Sequence, residues 1–300
     1  MIPLPIDDVL PDVVAYLRKG PNLVLVAPPG AGKTTRLPSA LIDQDVIEAG
    51  QRVLVLEPRR LAARLAAKRI AEERLVRLGD EVGYQIRFED RTSKRSRIVI
   101  VTEGILTRRL QTDPFLEGVQ AVVLDEFHER SVHADLGLAL LREIQQTVRD
   151  DLKIIVMSAT LDPAPVQRFL GDCPVVQSDG RAYPVDVHYL ERPDERPSDA
   201  RVASLVRKAL RSVEQGDVLA FLPGAAEIRR AQQTLTEALP GVDVRPLYGD
   251  LSPQAQDRAV EPGPRRKVVL ATNIAESSLT IAGVSIVVDG GEHKIARHDP

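Results

Sequence analysis

Three hundred residues exceed what one hydrophobic core usually serves, so two domains are expected. A composition of 43% hydrophobic and 28% charged residues with a single cysteine excludes a disordered chain, a disulfide framework and a thiolate-rich zinc site. The formal net charge of −3 excludes a surface basic all over, so any grip on nucleic acid has to come from a local groove.

The first ten residues, MIPLPIDDVL, show no basic region followed by an apolar run, and no stretch approaches the ~18 apolar residues of a membrane span. A cytoplasmic protein without membrane contact is the expectation. The first β-branched run, Asn22–Ala27, leads into PPGAGKTT and then a helical pattern. Glycines at 30 and 32 let successive backbone N–H groups turn inward around a polyphosphate, and the following helix presents its positive end to the same anion. Lys33 is placed to reach the terminal phosphates and Thr34 to coordinate Mg²⁺. The candidate nucleotide-binding segment is Pro29, Gly30, Ala31, Gly32, Lys33, Thr34 and Thr35; it departs from the full P-loop pattern in having Ala27 at the first glycine.

Further strands are predicted at Arg52–Glu57, Ile98–Thr102, Ala121–Asp125 and Lys153–Ser158, each followed by helical spacing such as Ala62, Ala66, Ile70. This alternation predicts βαβ units and a mainly parallel sheet. The fourth strand ends in DEFHER. Asp125 is the candidate to hold Mg²⁺, partly through water, and Glu126 to orient or deprotonate the attacking water. His128 is read as a structural hydrogen-bonding residue.

Alternation over Tyr183–Leu190 predicts another strand, and the proline-bearing, charged segment Glu191–Ser198 a linker. Beyond it, Val202, Leu205, Val206, Ala209, Leu210 and Val213 fall on one helical face. Strands follow at Val218–Leu222, Val242–Leu247, Lys267–Ala271 and Val284–Asp289. The expected architecture is α/β, with a first domain at 1–190, a linker at 191–198 and a second domain at 199–300 that is read as incomplete. Two basic clusters, Arg87, Arg91, Lys94, Arg95, Arg97 and Arg265, Arg266, Lys267, are either groove walls or solvated faces.

Read together, GAGKTT, LEPRR, VTEG, DEFH, SAT, FLPG and ATNIAESSLTI occur in the order of helicase superfamily 2, and the chain resembles its DEAH-box branch from Pro28 to about Pro300. The resemblance implies two tandem RecA-like P-loop domains that hydrolyse ATP in the cleft between them. It implies that Ser158 and Thr160 couple hydrolysis to the strand groove, with Lys33, Asp125 and Glu126 as the catalytic set. Arg59, Arg60, Thr102 and Gly104 would touch the nucleic-acid backbone from the first domain, and Gly224, Thr272 and Asn273 from the second. Glu276 and Ser277 would face the nucleotide. The implied partner is single-stranded nucleic acid, RNA rather than DNA.

Two departures qualify these implications. The family's arginine-rich QRxGRxGR segment has no counterpart, so weak hydrolysis by this stretch alone is expected. Val260 stands where relatives place a phenylalanine against the base, so GTP, CTP or UTP are expected to replace ATP. A nucleotide-gated clamp that binds RNA or a partner without unwinding is the alternative function. An unrelated P-loop kinase or transporter ATPase would explain GAGKTT and the DE pair but none of the other motifs.

Overall fold

The computed structural model describes residues 3–160, 162–180, 184–276, 279–292 and 294. Chain contacts divide the protein into two compact units, Met1–Tyr183 and Pro184–Pro300.

In the first unit an eight-stranded sheet runs in the order β4-β3-β5-β2-β6-β7-β1-β8. These strands are β1 (Asn22–Val26), β2 (Arg52–Glu57), β3 (Val82–Ile86), β4 (Glu89–Arg91), β5 (Ile98–Thr102), β6 (Val119–Leu124), β7 (Lys153–Ser158) and β8 (Val175–Gln177). All neighbours are parallel except the β3–β4 hairpin. Helices cover both faces, so the central strands are apolar throughout. Alternate residues divide cleanly. Leu23, Leu25, Val53, Val55, Val123 and Ile155 pack under α1 (Leu10–Lys19), α2 (Lys33–Asp43) and α3 (Arg60–Glu73). Val24, Leu54, Leu56, Val122, Leu124 and Val156 pack under α4 (Glu103–Thr112), α5 (Val132–Thr147) and α6 (Ala164–Phe169).

The second unit holds a four-stranded parallel sheet in the order β10-β11-β9-β12. Its strands are β9 (Asp217–Phe221), β10 (Asp243–Leu247), β11 (Lys267–Ala271) and β12 (Val284–Asp289). Helices α7 (Ser198–Ser212), α8 (Ala225–Ala238) and α9 (Pro253–Val260) complete it. The α7 face read from spacing buries Val202 and Val206 against β9 and β12, with Leu205, Ala209 and Leu210 packed alongside. Two parallel α/β units are therefore present, as expected.

The strand predicted over Tyr183–Leu190 does not form in its described residues, Pro184–Leu190. Its alternation positions stand in solvent, with Val185 and Tyr189 80% and 89% exposed, and no strand among the described residues supplies ladder bonds. An irregular run continues through Pro197, where Asp194 and Arg196 form an ion pair at 2.6 Å. That pair holds the half-buried Asp194 carboxyl down at about 2.

Candidate nucleotide site and strand-facing loops

Parallel strands place all their C-terminal ends at one edge of the sheet, and loops leaving that edge are where α/β proteins bind ligands. In the first unit the order β5-β2-β6-β7-β1 brings Thr102, Glu57, Asp125, Ser158 and the P-loop side by side. Glu57 pairs in register with Thr102, and Val26 with Ser158. The Asp125 amide donates to the Leu56 carbonyl at 3.0 Å, and the Ala27 amide to the Ser158 carbonyl at 2.9 Å.

Gly30 and Gly32 sit at φ +76° and +91°, which a side chain at either position would resist. A Cβ at Gly32 would also run into the Leu4 side chain. The N-terminal segment supports the loop from beneath, because the Ile6 amide donates to the Ala31 carbonyl at 3.1 Å. Gly32 caps α2, whose first two residues are Lys33 and Thr34.

Lys33 is buried, and its Nζ lies 3.0 Å from Glu126 Oε1 and 4.0 Å from Asp125 Oδ1. The Thr34 hydroxyl donates to Asp125 Oδ2, while Asp125 Oδ1 accepts the Glu126 amide at 2.8 Å. Glu126 itself takes a left-handed backbone, φ 50° and ψ 34°, which turns its carboxylate back toward Lys33. His128 Nδ1 stands 3.5 Å from the other Glu126 oxygen.

A third carboxyl group, Glu57, lies beside this set and is 2% exposed. Burial, then the charges of Asp125 and Glu126, push its proton affinity well above the ordinary carboxylate value. Burial and Asp125 likewise raise Glu126, against the opposing pull of Lys33. For Lys33, burial alone would lower the value, but Asp125 and Glu126 outweigh it and the net shift is upward.

Three carboxyl groups thus surround one ammonium, and Glu57 Oε2 has no hydrogen-bond partner among the described residues. Such a surplus of acceptors fits a divalent cation, and the Thr34–Asp125 contact brings the two expected metal ligands to one point. Among the described residues no group of three or more His, Cys, Asp or Glu is arranged to hold a metal by itself. The donor set therefore suits a cation that shares its ligands with a polyphosphate.

Around this centre, Arg59 caps α3 and Arg60 begins it, exposed. Thr102 caps α4, and a Cβ added at the exposed Gly104 would meet nothing within 4 Å. Ser158 is fully buried against the P-loop backbone, and Thr160 is exposed two residues on. The second unit repeats the arrangement. Gly224 follows β9 and caps α8, while Thr272 and the exposed Asn273 follow β11, and the Leu222 amide donates to the Ala271 carbonyl at 2.8 Å. Glu276 is exposed beyond them; Ser277 lies outside the described residues.

Residues 9–169 match the family model described as DEAD/DEAH box helicase, over more than half of the chain. The chain belongs to the DEAD/DEAH box helicase family. Residues 201–294 match the helicase conserved C-terminal domain. The chain is 49% identical to the ATP-dependent RNA helicase HrpB of Escherichia coli (strain K12), an alignment covering 100% of this chain and 37% of that protein. A crystal structure of the E. coli DEAH/RHA helicase HrpB matches with a TM-score of 0.90 at 48% identity, covering 99% of this chain and 38% of that one. A crystal structure of the E. coli DExH-box NTPase HrpB matches at 0.80 and 48%, covering 100% and 37%. The chain spans little more than a third of the length of these relatives.

The structure divides each basic cluster of this helicase-family sequence between exposed residues, among them Arg87, Arg91, Arg95 and Arg265, and residues bonded to backbone carbonyls. In the cluster Arg265, Arg266, Lys267, Arg266 donates to the carbonyls of Leu210, Gln215 and Gly216, and Lys267 is buried and donates to the Glu261 carbonyl at 2.8 Å. Those two residues are structural, because they satisfy backbone acceptors at the N-terminal end of β11. In the other cluster, Arg97 donates to the carbonyls of Ile47, Glu48 and Gln51, Arg95 pairs with Asp80 at 2.7 Å, and Arg91 with Glu89 at 3.5 Å. Arg87 remains at the tip of the β3–β4 hairpin, its guanidinium 4.7 Å from the exposed ring of Phe88.

Sequence reasoning missed Glu57 and the supporting role of Leu4 and Ile6. Glu57 stands inside LEPRR, where the arginines draw attention. The signal that could have found it is a carboxylate closing an otherwise apolar strand.

Proposed function

We propose that this chain binds ATP with Mg²⁺ at its P-loop, hydrolyses it, and uses the hydrolysis to move along a single strand of RNA in the cytoplasm. The observation carrying this reading is the constellation of buried Lys33, Asp125 and Glu126 with half-buried Thr34 at the C-terminal edge of one sheet. RNA is preferred over DNA because the relative sharing 49% identity is an ATP-dependent RNA helicase.

In this reading the P-loop amides from Gly30 to Thr35 cradle the phosphates, and Lys33 exchanges its Glu126 partner for phosphate oxygen. That exchange leaves Glu126, with its raised proton affinity, to accept a proton from the attacking water. Thr34 and Asp125 hold the metal, which when bound screens phosphate charge and polarises the bond being broken. Ser158, hard against the P-loop, and the exposed Thr160 relay the change to the strand side. Arg59, Arg60, Thr102 and Gly104 in the first unit, and Gly224, Thr272 and Asn273 in the second, hold the strand by its backbone without reading sequence. Glu276 is the second unit's candidate contact to the nucleotide.

Val260 ends α9 buried in its own unit and offers no ring to stack on a base. Weak base selectivity follows, so GTP, CTP and UTP should also be turned over.

Equilibrium binding and turnover of the four triphosphates by the full chain test this reading. Lys33→Ala is expected to lose triphosphate binding. Glu126→Gln is expected to retain binding and lose about 10²–10⁴-fold in turnover, the usual worth of a general base. Turnover by Glu126→Gln at the parental rate would remove Glu126 from the mechanism, and a strict demand for ATP would end the claim of weak base selectivity.

A further inference from the structure

Two side chains just beyond Glu126, Glu129 and Ser131, reach helix starts outside the hydrolysis scheme, while Arg130 pairs with Asp135 of α5 at 3.1 Å and stands over the Phe127 ring. Residues Phe127–Glu129 form a single 3₁₀ turn bracketed by two left-handed non-glycine residues, Glu126 at φ 50° and Arg130 at φ 50°. Non-glycine residues persist in that region only where their surroundings over-determine them, and such strain concentrates at switching sites. Here the surroundings are identifiable. Phe127 is buried in the core beneath α4 and α5, and the Glu129 amide donates to the Glu126 carbonyl at 2.9 Å.

From this turn one side chain reaches each strand-side helix of the first unit. Glu129 Oε1 lies 3.3 Å from Arg59 Nη2 at the start of α3. Two residues on, the Ser131 hydroxyl donates to Glu103 Oε1 in the first turn of α4 at 2.5 Å, while accepting the Ala134 amide at 2.9 Å as the cap of α5. Glu103 stands between Thr102 and Gly104. The segment carrying Glu126 is thus tied at both helix starts proposed to hold the strand.

We infer that Glu129 and Ser131 are positioning residues that couple strand binding to hydrolysis: the turn 126–131 moves Glu126 when a phosphate of the strand draws on Arg59 and on the start of α4. The inference rests on the strand-facing role given to Arg59 and Gly104 above. A displacement of Arg59 pulls Glu129, and Glu129 is hydrogen-bonded through its own backbone to Glu126. Both contacts lie within one compact unit, so the coupling requires no rearrangement of the other. Reciprocity applies to the binding part of this coupling alone: if the strand alters triphosphate affinity, the triphosphate alters strand affinity by the same factor, with no such constraint on the hydrolysis rate.

The test uses the full chain with Mg²⁺, ATP or a non-hydrolysable ATP analogue, and a short oligouridylate. Hydrolysis is measured with and without the oligonucleotide, and oligonucleotide affinity with and without the analogue. Glu129→Gln is expected to cut strand stimulation ~fivefold or more and bring the two affinities together, while basal turnover stays within about twofold of the parent. Ser131→Ala should act in the same direction, and Glu129→Asp should recover part of the stimulation. If Arg59→Ala weakens oligonucleotide binding but Glu129→Gln is stimulated like the parent, the inference fails and the strand-groove reading stands. Should Arg59→Ala leave oligonucleotide binding untouched, the strand-groove reading fails and the inference with it. Loss of basal and stimulated turnover in equal proportion by Glu129→Gln would reduce Glu129 to holding the turn together, which also overturns the inference.

Discussion

Glu57 shows most clearly how single residues carry the account. It closes β2 in a fully buried position beside two acidic groups, and its proton affinity is raised well above the ordinary carboxylate value. A group raised on folding adds stability that is complete below its unfolded value and is lost as pH rises through the folded one. Without metal or nucleotide, the parent should therefore lose stability as pH rises above the ordinary carboxylate range, by ~1.4 kcal/mol for each tenfold increase in proton affinity. Glu57→Gln removes the titrating proton, so its unfolding free energy in urea should vary less with pH and exceed the parent's most at the upper end. Parallel pH profiles for the two proteins would show that Glu57 ionises as it does in the unfolded chain. Lys33, Thr34, Asp125 and Glu126 are legible in the sequence because each pair follows an apolar strand, β1 for the first two and β6 for the last two, in a short local pattern. Glu57, Glu129 and Ser131 are not, since their contacts are made across strands and helices that spacing does not relate.

At the scale of elements, apolar β-branched runs located the central strands of both sheets, with β2, β5, β7, β11 and β12 matching their predicted limits. Burial on both faces makes such runs self-evident. The β3–β4 hairpin escaped because its strands are short, partly polar and near the edge, and because Gly83 interrupts β3. That glycine is needed where a Cβ would meet the Arg91 carbonyl oxygen of the partner strand. Conversely, alternation at Val185, Val187 and Tyr189 suggested a strand that has no described neighbour to pair with. A buried amide pair fastens β1 to the helices behind it. Asn22 donates to Gln145 at 3.1 Å and to the Leu170 carbonyl at 2.9 Å, and Gln145 returns a bond to Asn22 at 2.8 Å. Asn22→Ala strands buried polar atoms on both partners and should cost about 2–4 kcal/mol in urea unfolding. A loss below about 1 kcal/mol would mean that water reaches these groups.

For the whole molecule, composition and strand–helix alternation foretold two α/β units, and the contact division at Tyr183–Pro184 assigns the irregular run through Pro197 to the second. The expected linker begins at Glu191, whereas irregular chain already runs from Pro184, because the alternation of Val185, Val187 and Tyr189 imitates a strand. Net charge foretold little. A surface balanced near −3 still presents Arg59, Arg60 and the Arg87 tip, while Arg97, Arg266 and Lys267 are spent on backbone carbonyls. Sequence could not separate these two fates of a basic residue, since both begin as an arginine or lysine near a strand end. No described helix is long and apolar enough to cross a membrane. The central claim is that a strand held at these loops governs hydrolysis at Lys33, Asp125 and Glu126. The most direct measurement is the ATP hydrolysis rate of the full chain with Mg²⁺, as single-stranded RNA is titrated in at low and at raised salt. The expected result is a saturable rise in rate whose half-point shifts to higher RNA concentration as salt displaces the phosphate contacts. A rate unchanged at saturating RNA would contradict the account.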